Sequence, residues 1–265
     1  MDGQYFYLNN WDAGLYFDIA NQLRLNIGKD YMSSSYFNRL IDVKPILALE
    51  KIINQYGGKK VLVLGAGPSL ETNIKSLMEY SILNDFITIA ADGASYALKK
   101  IADINPNFIV TDLDGYPEEE VKMSNDESVA VVHSHGDNIN LLSRYVHQLK
   151  NLIGTTQCEP LGKLYNFGGF TDGDRSVYFA NTLNPKMIVL VGMDFGDKIG
   201  NFSNALKKDK VKKIIKLKIG KKLLERFAMM HANSLDLYDM TSAGNNINGF
   251  KKIKIDDMVN IIKGR

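Results

Sequence analysis

The sequence predicts an α/β protein built on a doubly wound, mostly parallel sheet with helices on both faces. A helical N-terminal lobe precedes it and a C-terminal helix-loop extension follows. Three observations lead there. From Gly58 onward, short runs rich in Val and Ile alternate with longer stretches of helical periodicity. Those runs are almost continuously apolar, as in strands covered on both faces. Glycine and aspartate collect just after the runs end, where open parallel sheets bind ligands. The boundaries read as 1–57 for the lobe, 58–200 for the α/β catalytic domain and 201–265 for the extension, a basic helix and loop packing on that domain.

In chain order, "VKPILALEKIINQYGG" (43–58) reads as a helix ending at a glycine cap. Six strands are expected at 59–65, 86–92, 107–112, 129–135, 163–169 ("KLYNFGG") and 186–192. Between them Leu70 to Tyr80, Ala94 to Ile104, Ile139 to Ile153 and Ser176 to Leu183 carry helical spacing. After Phe195 come a long basic helix and the polar loop "TSAGNNINGF".

A chain of 265 residues, 45% hydrophobic and 23% charged, has the make-up of an ordinary globular protein with a full core. Its one cysteine, Cys158, excludes intramolecular disulfides and zinc-finger spacing and fits a reducing compartment. No apolar run approaches the roughly 18 residues of a bilayer span, and no secretion signal is recognisable, so cytoplasmic localisation is the expectation. Residues 207–226 hold ten Lys or Arg against Asp209 and Glu225, a local charge of +8 in a chain of +2, leaving −6 elsewhere. With no aromatic platform interleaved, this is an amphipathic helix with a solvated lysine face rather than a nucleic-acid surface. A flap bringing lysine to a polyphosphate is the alternative.

Five or six loops at one sheet edge concentrate the unusual residues. "GAGPSLE" places Gly65, Gly67, Pro68 and Ser69 before a helix, the pattern of a turn whose amides approach an anion. It lacks the third glycine of the dinucleotide fingerprint and the Lys-Ser/Thr of a P-loop; an ordinary tight turn with Pro68 in the first helical turn is the other reading. Asp92 and Gly93 follow the second run, and Asp112 and Asp114 the third. His133, His135, Asp137 and Asn138 follow the fourth, Gly168, Gly169, Asp172, Asp174 and Arg175 the fifth, and Asp194 the sixth.

Six aspartates (92, 112, 114, 137, 172 and 174) at one edge would repel a bare polyphosphate. With Mg²⁺ the sign problem disappears, because carboxylate oxygens hold the cation and it bridges to phosphate oxygens. Singly, any of these aspartates can be a helix cap, Asp194 and Asp137 above all. The pair Asp112 and Asp114, two apart at a strand mouth, is the hardest to explain so. His133 and His135 lack a third ligand at zinc spacing; His135 is a candidate for substrate contact or proton transfer. Arg175 can neutralise phosphate charge, or simply pair with Asp172 or Asp174.

Read together, "VLGAGPSLE" (63–71), "ADGA" (91–94), "IVTDLDG" (109–115), "HSHGDN" (133–138), "NFGGFTDGDR" (166–175) and "VGMDFG" (191–196) resemble the archaeal 6-hydroxymethyl-7,8-dihydropterin pyrophosphokinases, with their thiamin-pyrophosphokinase-like catalytic domain. The set runs in order from about Val61 to Gly196. Compared with the thiamin enzymes, Thr111, Leu113 and Gly115 depart from the Gly-Asp-Phe-Asp-Ser pattern but leave the acids intact, which argues against thiamin as acceptor. The resemblance implies transfer of a diphosphoryl group from ATP to the pterin hydroxymethyl, with Mg²⁺, releasing AMP, in tetrahydrofolate or methanopterin biosynthesis. The partners implied are small molecules, ATP and a reduced pterin, with no nucleic acid and no membrane. A homodimer is the base-rate expectation.

On that basis Asp112, Asp114, Arg175 and His135 are the candidate catalytic residues. Asp92, Asp112, Asp114 and Asp137 are the candidate metal ligands. Gly65, Gly67, Pro68, Ser69, Asp92, Gly93, Asn138, Gly168, Gly169, Asp172 and Asp174 would contact the nucleotide or pterin, with Asp172 or Asp174 reading the aminopyrimidinone edge. The alternatives are a CMP-sugar-dependent glycosyltransferase relative, which shares the Gly-Pro-Ser-Leu turn, and a non-catalytic nucleotide-binding module.

Overall fold

A computed structural model describes residues 11–42, 49–203 and 210–264. The expectations for residues 43–48 and for Lys207, Lys208 and Asp209 lie outside these. Eight strands form one sheet in which every pairing is parallel, in the order β5-β4-β3-β2-β1-β6-β7-β8. They are β1 (Lys60–Leu64), β2 (Ile87–Ala91), β3 (Phe108–Thr111), β4 (Val129–Ser134), β5 (Leu152–Thr156), β6 (Met187–Val191), β7 (Asp236–Asp239) and β8 (Lys251–Lys252). Chain direction across the sheet reverses between β1 and β6.

Among the described residues ten helices cover the sheet: α1 (Ala13–Leu23), α2 (Ile27–Asp42), α3 (Leu49–Tyr56), α4 (Leu70–Glu79), α5 (Gly93–Ala102), α6 (Pro117–Asp126), α7 (Ile139–Tyr145), α8 (Asp172–Thr182), α9 (Lys210–His231) and α10 (Ile255–Lys263). Alternate residues of the strands feed opposite faces, as the two-residue repeat requires. Val61 and Val63 of β1 join Leu49 and Ile52 of α3, Val177 and Phe179 of α8 and Leu223 and Phe227 of α9. Leu62 and Leu64 point the other way, onto Leu70, Ile74 and Leu77 of α4, Leu98 of α5 and Met258 of α10. Phe37 and Ile41 of α2 close the β4–β5 end with Leu142 of α7. The N-terminal helices therefore share the sheet's cores, and α3 ends at Gly58 with φ +70° as its glycine predicts.

Two elements differ from the expectation. The fifth strand is Leu152–Thr156, not 163–169, because α7 stops at Tyr145 and a single 3₁₀ turn at Val146–Gln148 intervenes. Among the described residues the 163–169 segment pairs with the sheet at a single Thr155–Tyr165 bridge, and Gly168 and Gly169 then take φ +92° and +78° and turn the chain. The C-terminal segment supplies, besides its helices and loop, the two strands β7 and β8 that extend the sheet. Along α9, Ile219, Leu223, Leu224 and Phe227 are buried while Lys212, Lys216, Lys218 and Lys222 are exposed, the solvated lysine face expected. Among the described residues no helix is long and apolar enough to cross a membrane.

Candidate active site

The loop after β3 is held from behind. Thr111 Oγ1 accepts from the Leu113 amide (2.8 Å) and donates to Glu120 Oε2 (2.9 Å), while Asp112 Oδ1 accepts from the Asp114 amide (3.1 Å). Leu113 adopts φ +66°, strained for a non-glycine residue, with its side chain fully buried as an anchor. Asp112 Oδ2 lies 3.1 Å from His135 Nε2. The Asp137 amide donates to His135 Nδ1 (3.3 Å), so in the neutral ring Nε2 carries the proton and donates to Asp112. Asn138 ties the two loops: its Nδ2 donates to the carbonyls of Asp112 (3.0 Å) and His133 (2.7 Å), and its Oδ1 accepts from the His135 amide (3.0 Å). Both ring nitrogens of His135 are thus engaged, which makes it an orienting group for Asp112.

Asp92 occupies φ +46° at the start of α5, and a Cβ added at Gly115 would collide with its carboxylate. Asp172, at the start of α8, feels Asp112 and Asp92: burial first, then those two charges, push its carboxyl well above the carboxylate range, while Arg175 and Lys216 pull it down. Asp92, Asp112, Asp172, Arg175 and the α9 residue Lys216 therefore form one electrostatic group. Arg175 is 1% exposed; its Nη2 donates to the Phe170 carbonyl (2.9 Å) and its Nε has no hydrogen-bond partner. Its burial is enforced by the glycines before it, since a Cβ at Gly169 would sit 2.6 Å from Arg175 Cα. His133 is also buried. Its Nδ1 pairs with Thr155 Oγ1 (3.1 Å), which itself donates to the Val132 carbonyl, so Nε2 is left as an acceptor without a partner. Burial, then the charge of Arg175, keeps this imidazole neutral.

Several expected contacts are taken up inside the fold instead. Asp174 caps its own helix, accepting from the amides of Phe170 and Thr171 and from the Thr171 hydroxyl. This leaves Asp172 as the member of that pair facing the acid group. Asp137 is exposed at the loop tip. The Gly65–Ser69 turn does not fit a phosphate cradle. The amides of Gly65 and Gly67 donate to the Val191 and Gly192 carbonyls (2.9 and 2.8 Å), and the Ser69 amide and hydroxyl both bind Asp194 Oδ2 (2.9 and 2.7 Å). Gly67 is needed because a Cβ there would strike Asp194 and the Gly192 carbonyl. Gly93 is likewise packed against the Phe202 carbonyl, and Gly168 donates to Asn166 Oδ1 (3.0 Å).

Sequence reasoning missed four supporting groups. Glu120 is fully buried beneath the β3 loop, with burial pushing its carboxyl up to about 8 and Oε1 lacking a partner. Within the run "PEEE" it looks like an ordinary acidic helix start. Asp30 of α2 accepts from the Gly136 amide (2.7 Å), the Tyr16 hydroxyl (2.8 Å) and Gln157 Nε2 (2.8 Å), clamping the His135–Asp137 loop to the N-terminal helices. Lys216 was hidden in the lysine run. No local pattern marks Asp30 or Gln157, because the contacts that tie Asp30 to Gly136 and to Gln157 span more than a hundred residues.

The family model described as 6-hydroxymethylpterin diphosphokinase MptE-like matches residues 37–200. The chain belongs to this family. Three curated proteins named 6-hydroxymethyl-7,8-dihydropterin pyrophosphokinase are similar to it. That of Methanothermobacter thermautotrophicus is 42% identical over 178 residues, covering 63% of this chain and 75% of the relative. That of Pyrococcus furiosus is 37% identical over 211 residues (78% and 88%), and that of Methanocaldococcus jannaschii 34% over 228 residues (82% and 94%). The MptE-like match takes in every acidic loop described above. It leaves out Asp30 and Lys216, which reach the same edge from outside it.

No three His, Cys, Asp or Glu side chains among the described residues converge as a preformed metal cage. Mg²⁺ does not demand one: it commonly takes one or two carboxylates and completes its shell with water and substrate phosphates. Asp112 and Asp92, crowded enough to act on Asp172, offer the hard oxygen donors that such an ion takes.

Proposed function

We propose that this MptE-like protein transfers a diphosphoryl group from ATP to the hydroxymethyl of 6-hydroxymethyl-7,8-dihydropterin, releasing AMP, as a cytoplasmic step of tetrahydrofolate or methanopterin biosynthesis. One observation carries the reading: the charges of Asp112 and Asp92 both act on the carboxyl of Asp172, and those of Asp172 and Asp112 act on the buried Arg175. Three pyrophosphokinase-named relatives supply the substrate class.

In the proposed reaction the pterin alcohol oxygen attacks the β-phosphorus in line. The new O–Pβ bond forms as the bridging bond to the α-phosphate breaks, and AMP leaves. Asp112 and Asp92, with Asp114 beside them, would hold Mg²⁺, which when bound supplies charge neutralisation of the phosphate oxygens. Arg175 and Lys216 add fixed positive charge where negative charge shifts toward the leaving phosphate. Asp172 receives the alcohol proton, because burial and the Asp112 and Asp92 charges raise its basicity above that of an ordinary carboxylate. His135 and Asn138 fix the Asp112 carboxylate, so that positioning rather than covalent chemistry carries most of the rate.

The test is AMP release from ATP and the dihydropterin with Mg²⁺, run beside thiamin and a CMP-sugar. Wild type should turn over only the pterin, and Asp112→Asn should lose at least about 100-fold in kcat. A wild type inactive with the pterin refutes the function; an undiminished Asp112→Asn refutes the metal assignment.

A further inference from the structure

A cleft of about 510 Å³ opens beside the acid group, lined by Tyr96, Tyr116, Phe202, Lys75, Lys100 and Asn201 among others. Lys75 lies on α4, which follows β1, and Tyr96 and Lys100 on α5, which follows β2. Tyr116 follows the Asp112–Asp114 loop, and Asn201 and Phe202 follow β6. The cleft therefore lies between α4 and α5, the crossovers from β1 to β2 and from β2 to β3, with Tyr116 and the segment after β6 closing it.

Its chemistry is that of a stacking platform. The Tyr96 and Tyr116 rings stack with centroids 4.5 Å apart and planes 26° apart, and Phe202 meets Tyr96 edge-on at 6.1 Å. Lys100 Nζ stands 5.9 Å from the Tyr96 centroid and 5.7 Å from that of Phe202. Lys75 and Lys100 are both exposed. Aromatic faces with flanking ammonium groups suit a planar heterocycle that carries a polyanion.

The cleft shares walls with the acid edge. Gly93, next to Asp92, packs on the Phe202 carbonyl, and Asp92 packs on Gly115, next to Tyr116. Along that edge the order is β4, β3, β2, β1, β6; His133 and Asn138 belong to β4 and its loop, while the walls of the cleft follow β1, β2, β3 and β6. A nucleotide with its base in the cleft therefore has its phosphates beside the Asp92–Gly115 contact, at the loops after β2 and β3.

We propose that this cleft binds the nucleobase of the phosphoryl donor, a purine nucleotide, with Tyr116 and Tyr96 as its stacking surface. The proposal rests on the diphosphoryl-transfer reading above for the second substrate, but the binding itself is separable from turnover. The full-length protein with Mg²⁺ is titrated with AMP by calorimetry, and KM is measured for ATP and for the dihydropterin. Tyr116→Ala should weaken AMP binding and raise KM for ATP about 5- to 150-fold, the range for loss of one stacked base. KM for the pterin should stay within about twofold. Tyr116→Phe should keep wild-type values, and Lys100→Glu, a change at an exposed position, should weaken AMP in the same direction.

A rise in pterin KM with ATP unchanged would assign the cleft to the acceptor and overturn the proposal. So would AMP binding indifferent to both Tyr116→Ala and Lys100→Glu. If wild type fails to use the dihydropterin, the enzymatic reading falls, while the AMP titrations still decide the cleft.

Discussion

Glu120→Gln separates the carboxyl's hydrogen bond from its charge. In the folded protein this carboxyl is pushed up to about 8 by burial, with the Asp112, Asp172 and Glu118 charges adding to it and the Thr111 hydroxyl bond opposing. In the unfolded chain it titrates near 4.5. Between those values the native state holds a proton that the unfolded state has released, so stability falls as pH rises. The slope is about 1.4 kcal/mol per pH unit between roughly pH 5 and 8, accumulating to at most about 5 kcal/mol by pH 9. Below about pH 4.5 both states are protonated and the contribution is flat.

Glutamine keeps an oxygen to accept from Thr111 and has no charge to bury. Its amide nitrogen takes the place of Oε1, which has no partner. The difference in urea unfolding free energy, Glu120→Gln minus wild type, should therefore rise with pH from a small value at pH 5 to several kcal/mol at pH 9. The measurement is made without divalent cation, so that binding at Asp112 does not enter. A pH-independent difference would refute the assignment of a neutral buried carboxyl. So would a Glu120→Gln variant that loses stability relative to wild type as pH rises. Glu120→Ala should instead cost about 2 kcal/mol or more at every pH, since it removes the support of Thr111 and leaves a cavity under Leu113.

Three further substitutions probe the scaffold. Asp30→Asn replaces an acceptor facing three donors and should cost about 2–4 kcal/mol in urea unfolding, with a drop in kcat as the His135–Asp137 loop loosens; unchanged stability and kcat would show that the clamp is dispensable. Asp194→Ala strands the Ser69 amide, the Ser69 hydroxyl and the Ala243 amide, and should cost about 2–5 kcal/mol. Bound AMP should not restore its midpoint beyond the shift seen in wild type, whereas a phosphate cradle at this turn would make AMP binding itself collapse. Gly169→Ala combines a side chain at φ +78° with a collision against the Arg175 backbone, for about 2–4 kcal/mol of destabilisation. Its residual kcat, measured where it is still folded, should fall with the displacement of Arg175.

The strands β1 to β4 and β6 were legible because a buried parallel strand must be continuously apolar, and the loops after them because aspartate and glycine punctuate those runs. β5 was misread since the helical spacing from Ile139 runs on through a 3₁₀ turn into "LIGTT" without a glycine or proline to mark the break. β7 and β8 are short and carry polar residues, and β8 forms the sheet edge, so their pairing is specified by neighbours rather than by their own pattern. The same division holds in the site. Asp92, Asp112, Asp172 and Arg175 stood out as charges at strand and helix ends, and the structure brings them together. Asp174 stood out equally and turned out to cap backbone amides, for nothing in a single carboxylate says which donors will reach it, whereas Asp194, read above all as a cap, does bind the Ser69 amide.

Sequence alone determined which faces and ends of the elements exist, because periodicity and backbone propensity act within a few residues. It therefore located the edge where chemistry collects. The folded chain decided which of those groups remain free to act. A carboxylate's protonation, an imidazole's tautomer and an amide's availability depend on partners brought from distant segments, such as Asp30 against Gly136 and Glu120 beneath Thr111. Burial sets the strength of those interactions, and burial is a property of the packed chain.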